Sequence, residues 1–164
     1  MKAVKKEFLI YTIDELHESA QEAAHMKWLQ SDYNYFWLGE SLGSVEYFLS
    51  FFGLGIKNYS LGTYERSYIE IGELSNDNTR DINKKTLYDM SLSDGYYIGE
   101  TLREKLLETF NKTGDLKYSI KSAIDEAVSD IVSDMEYSES LEAFIETAHA
   151  NGWTFLESGQ HYFE

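Results

Sequence analysis

Apolar residues recur every three to four positions over long stretches of this chain and alternate over short ones. The clearest run is 115–137. There Leu116, Ile120, Ala123, Ile124, Ala127, Val128, Ile131, Val132 and Met135 form one broad stripe, the signature of an amphipathic helix. Leu38, Leu42, Val45, Phe48, Leu49 and Phe52 predict another helix over about 35–52, closed by Gly53 and Gly55. Thr12-x-x-Glu15 reads as a capping box. It opens a helix to about Ser31, with Leu16, Ala20, Ala23 and Ala24 on one face, and 31–34 is a break. Two more helices are expected. One spans about 96–111 and stops at Asn111–Gly114, and the other is capped by Ser138 or Ser140 and ends near Asn151-Gly152.

The β-favouring stretches are shorter. Residues 6–12 read as a strand, 56–71 as a hairpin turning near Leu61-Gly62-Thr63, and 153–163 as two short strands around Glu157-Ser158-Gly159. Residues 72–94 are polar and read as loop with a short element. Strands at both ends and in the middle, separated by helices, predict an α+β fold. The expected architecture is a small antiparallel sheet of four or five short strands with about five helices packed on it. No repeat or linker interrupts residues 1–164, so a single domain is expected.

Composition narrows the function classes. A hydrophobic content of 43% supports a real core, so the acidity is not a sign of disorder. The absence of Cys excludes a disulfide frame, a thiolate nucleophile and Cys-ligated zinc. No stretch is long and apolar enough for a membrane helix, and the apolar run near the N-terminus is too short for a signal core. A cytoplasmic setting without membrane association is therefore expected. Aromatics reach 15%, with 13 Tyr. Tyr is enriched at interfaces, though most such rings fill cores.

Charge changes the picture more. After Lys121 the chain has no Lys or Arg, and residues 121–164 carry -9 of the net -15. On the helix over 115–137, Asp125, Glu126, Ser129, Asp130 and Ser133 fall on the polar side, with Asp134 and Glu136 toward the edges. Glu126, Asp130 and Asp134 are spaced i, i+4, so adjacent pairs repel by roughly 0.2–0.5 kcal/mol in an isolated helix. A face shaped only for solubility would mix signs. Carboxylates one turn apart, about 6 Å, suit a cationic groove built for phosphates. The partner-binding candidates are Asp125, Glu126, Asp130, Asp134, Glu136, Tyr137 and Glu139. A merely solvated acidic face is the competing interpretation.

Other motifs carry less. Gly39-x-Ser41-x-Gly43 matches the nucleophile-elbow pattern, which needs a strand before the Ser. The apolar spacing instead runs through it as one helix. Glu22-x-x-His25 and Glu146-x-x-His149 could each offer a carboxylate and an imidazole from one helix face, as in di-iron sites. The phase turns Glu22 away from the apolar face and Glu146 to its side. No catalytic residue, metal or cofactor is therefore expected. Gly53-x-Gly55 and Gly95…Gly99 do not complete a phosphate loop. Lys84-Lys85 in an acidic field is too weak a footprint for direct nucleic-acid binding.

Asp14-Glu15-Leu16, followed by Ala20, Ala23 and Ala24, resembles the N-terminus of a family of small acidic proteins carried by phages and mobile elements. The ending over residues 150–163 is similar to that family's Asn/Gly, aromatic, turn, aromatic tail. The resemblance covers roughly a quarter of the chain, and the family brings no catalytic residues. It implies an anti-defence protein, anti-CRISPR-like or anti-restriction, in the host cytoplasm. Together with the acidic face, it leads to an expected non-enzymatic inhibitor of a basic nucleic-acid-handling protein, such as an RNA-guided nuclease or a restriction enzyme. The alternatives are an antitoxin that neutralises a basic partner, or a metal-dependent enzyme using the Glu-x-x-His pairs.

Overall fold

The structure is a computed structural model that describes residues 7–31, 35–73, 82, 86–87 and 98–162. Its elements are α1 (Glu18–Gln30), α2 (Leu38–Ser50), β1 (Ile56–Ser60), β2 (Tyr68–Ile71), α3 (Gly99–Thr113), α4 (Leu116–Ser138), α5 (Leu141–Asn151), β3 (Thr154–Phe155) and β4 (His161–Tyr162). Helices with antiparallel strand pairs make this an α+β protein. Among the described residues the four strands form two separate two-stranded ladders, β1-β2 and β3-β4, rather than one sheet. Contacts divide the chain into two compact units, Tyr35–Met135 on one side and Met1–Asn34 with Glu136–Glu164 on the other.

In the unit Tyr35–Met135 the helical periodicities become an aliphatic core. Val45, Phe48, Leu49 and Phe52 pack with Leu102, Leu106, Ile120, Ala123, Ile124, Ala127, Ile131 and Met135. Leu42, Val128 and Val132, expected inside, are only half-buried. Leu87 joins this core, while most of 72–94 lies outside the described residues. α3 ends where Gly114 turns left-handed at φ 68°, a conformation glycine adopts freely. Asp115 then caps α4, its Oδ1 accepting the Tyr118 N–H at 2.9 Å. The hairpin forms as expected, pairing Ile56 with Ile71, Tyr59 with Ile69 and Ser60 with Tyr68 around a bulge between Ile56 and Asn58. Its loop is held by Ser67 Oγ, which accepts from Gly62 N–H and donates to Gly62 O.

The other unit departs from the periodicity in two places. Residues 7–10 form no strand, and only Tyr11 pairs, exchanging two backbone hydrogen bonds with Phe155 at 2.9 and 2.8 Å. A β-favouring segment without a neighbouring strand along its length leaves Phe8, Leu9 and Ile10 exposed. Glu15 does close a box on Thr12, accepting from its backbone N–H at 2.8 Å and its hydroxyl at 3.0 Å. The box stabilises a 3-10 turn, Ile13–Glu15, and not the long helix. Leu16 is extended, and α1 begins afresh at Glu18 with His17 as cap. Ser140 caps α5 by accepting the Ala143 N–H, and Gly152 ends it at φ 61°. Gly159, at φ 76°, lies so close to α1 that a Cβ there would stand 2.1 Å from the Ala20 carbonyl oxygen. Only glycine fits this turn between β3 and β4.

No helix among the described residues is long and apolar enough to cross a membrane.

Candidate functional site

The candidate site starts from the pairing of α3 with α4. Thr109 Oγ1 meets Ser122 Oγ at 3.4 Å, and Lys105 Nζ meets Glu126 Oε2 at 2.9 Å. One turn further, Thr101 lines a shallow depression with Asp130. Each step of four back along α3 matches a step of four forward along α4, the register of antiparallel neighbours. The row Glu126, Asp130, Asp134 therefore runs along the flank of α4 that borders α3. All three residues are half-buried, not fully solvated.

Lys105 supplies the one ion pair to this row among the described residues. The Glu126 carboxylate, by hydrogen bond and then by charge, holds the Lys105 ammonium above its usual range. Among the described residues Asp130 and Asp134 have no such partner. They share their depression with Ser133, Thr101 and Ile98. Partial burial, and then the neighbouring Asp130 charge, pushes the Asp134 carboxyl above its usual range.

Asp125 belongs to the opposite flank. It is exposed and borders a groove with Glu70 and Glu73 beside β2 and with Lys117 and Lys121 of α4. Signs are mixed there, so the expected acidic face resolves into one acidic flank and one mixed flank.

Glu136, Tyr137 and Glu139 belong to the other unit. Glu136 is exposed. Tyr137 is also exposed, and its hydroxyl donates to Glu146 Oε2 at 2.9 Å, which raises the phenol above its usual range. Glu139 is half-buried, and its backbone oxygen lies 2.8 Å from His25 Nε2. A carbonyl only accepts, so that nitrogen carries the proton. This unit thus engages His25 of the first Glu-x-x-His motif and both Glu146 and His149 of the second in other contacts. His149 Nε2 lies 3.1 Å from Asp14 Oδ1, and Glu146 accepts from Tyr137. Among the described residues no group of three or more His, Asp or Glu could hold a metal ion. The Gly39–Gly43 motif lies within α2 with Ser41 buried, so it has no strand-to-helix elbow. Lys84 and Lys85 lie outside the described residues.

Reading the sequence missed Lys105 as the neutralising partner of Glu126. The available signal was its place beside the buried Leu102 and Leu106 on α3, where a long side chain can reach a packed neighbour.

Comparison with family models, curated proteins and solved structures produced no match to this chain.

Proposed function

We propose that this chain is a non-enzymatic inhibitor of the kind phages and mobile elements carry, acting in the host cytoplasm. It binds a basic nucleic-acid-handling protein, such as an RNA-guided nuclease or a restriction enzyme, by presenting carboxylates where that protein expects phosphates. The observation that supports this most is the pair Asp130 and Asp134. They are neighbouring, half-buried carboxylates to which the described residues bring no cation. Such a pair is electrostatically unfavourable in the free protein, and a Lys or Arg side chain from a partner relieves it. Asp125, Glu136 and Glu139 add to the attracting field, and Tyr137 offers a ring held by Glu146.

The test is affinity capture from the natural host with wild type and with Asp130→Asn/Asp134→Asn, in the presence and absence of duplex DNA. A basic protein retained by wild type, lost with the double variant and displaced by DNA is the expected result. Capture that DNA does not displace moves the reading to an accessory protein that neutralises a basic partner without mimicking nucleic acid. Equal capture by both proteins removes the acidic flank from the function.

A further inference from the structure

The unit built from residues 7–31 and 136–162 contains a cavity of about 540 Å³, in the size range of small-molecule sites. Its walls are rings. Trp28 comes from α1, Phe144 from α5, Trp153 and Phe155 from around β3, and His161 from β4. The rings stand against one another, with Trp28 to Phe144 at 5.4 Å and Trp153 to His161 at 5.0 Å between centroids. The polar groups at the cavity are Lys27, Ser31, Gln160 and His161.

Its charge is the informative part. The chain has 29 acidic and 14 basic residues, yet among the described residues no carboxylate lines this cavity. The cation that does line it, Lys27, makes no ion pair among the described residues. The helix neighbours three and four positions away, Ala23, Ala24, Gln30 and Ser31, are all uncharged, so α1 itself does not occupy the ammonium. Burial lowers the pKa of His161 below its usual range, so at neutral pH its imidazole contributes a donor and an acceptor but no charge.

We propose that this cavity is a binding site for a small planar aromatic molecule bearing one anionic group, its ring among Trp28, Phe144 and Trp153 and its anion at Lys27. Flat rings stack favourably on indole and phenyl walls. A carboxylate or phosphate gains a charge-assisted hydrogen bond from the ammonium, with the Gln160 amide as a further donor; the Ser31 hydroxyl already donates to the Trp28 backbone oxygen at 2.6 Å. A cationic guest would meet Lys27 and, among the described lining residues, find no carboxylate. This site is independent of the acidic flank on α4, and either assignment stands or falls alone.

The chain has three Trp, and the third, Trp37, packs in the other unit, which makes it an internal control. The experiment titrates the full chain with naphthalene-2-carboxylate, its neutral carboxamide and a naphthylmethyl-trimethylammonium salt. It follows the three indole N–H signals by NMR, each assigned by a Trp→Phe substitution. Expected are saturable shifts at Trp28 and Trp153, a still Trp37, and about tenfold tighter binding of the carboxylate than of the carboxamide, the typical worth of a charged hydrogen bond. Lys27→Met keeps the apolar stem and should erase that preference, and Lys27→Arg should retain it. Three results would overturn the assignment. The first is no saturable shift, or one equally large at Trp37. The second is a carboxamide or ammonium that binds as tightly as the carboxylate. The third is a preference that survives Lys27→Met.

Discussion

The two compact units solve the same packing problem with different materials. The unit Tyr35–Met135 fills its interior mainly with aliphatic side chains from three helices, with Phe48 and Phe52 as its buried phenyls. The other unit gathers rings around Phe144, with His25, Trp28, Trp153 and Phe155 all within 6.3 Å between centroids. Aliphatic chains interdigitate and fill space closely, so in the first unit the unusual chemistry lies outside the core, as carboxylates on a helix flank. In the second unit the rings meet at tilted angles, and a cavity lies among them. Both units carry concavities, a mixed-charge groove beside β2 in the first and a cavity walled by rings in the second, and they differ in what lines them.

The largest expected effects test whether both cores carry stability. Phe144→Ala should cost about 3–5 kcal/mol and Ile131→Ala about 2–5 kcal/mol, measured by denaturant unfolding. Both residues are fully buried. A neutral Phe144→Ala would show that the ring cluster is a surface assembly rather than a core, and the contrast between the units would fail.

A pH series sharpens the contrast. His161 has a pKa lowered by burial, so the folded state resists its protonation. Its stabilising effect is complete above the unfolded value of 6.5 and is lost as pH falls through that value toward the folded one. His161→Gln should flatten stability between neutral pH and pH 5. An unchanged slope would mean that another group titrates.

The smallest effect has the opposite sign. Asp134 has a raised pKa, so its charged form weakens the fold at neutral pH. Asp134→Asn should therefore stabilise by roughly 0.2–0.5 kcal/mol at pH 7, the scale of one like-charge helix pair. The gain should vanish as pH falls below the ordinary carboxylate value, where both states are protonated. A destabilised variant would mean that the carboxylate is satisfied by a contact and is not under electrostatic tension.

How much of this is legible in the sequence follows the same division. The stripe on α4 and the hairpin β1-β2 are local patterns, and Ile124 and Ile131 are buried where the periodicity puts them, while the strand register is set by a loop over 61–67 that the local pattern does not fix. The ring unit is built from segments far apart in sequence and from strands of two residues, too short to carry a period. Phe8, Leu9 and Ile10 have strand-forming side chains, yet strand formation needs a partner, and pairing reaches only Tyr11. The acidity of α4 is plain in the sequence. Its neutralisation at Glu126 is not, because Lys105 comes from a different helix. The cavity has no sequence pattern at all, since α1, α5 and the β3–β4 turn each supply part of it.

The central claim is that the acidic flank of α4 attracts a basic partner, and substitutions of opposite sign test it most directly. Asp130→Asn/Asp134→Asn removes two charges to which the described residues bring no cation, while Lys105→Met frees the Glu126 carboxylate and adds to the negative flank. The measurement is the association rate of wild type and both variants with guide-loaded RNA-guided nucleases and restriction enzymes, at 0.1 M and 1 M salt. Steering acts mainly on association, and the Debye length falls from about 10 Å to about 3 Å between these conditions. The account predicts slower association for the double Asn variant, faster association for Lys105→Met, and convergence of all three at high salt. A double Asn variant that associates and inhibits as well as wild type would contradict it.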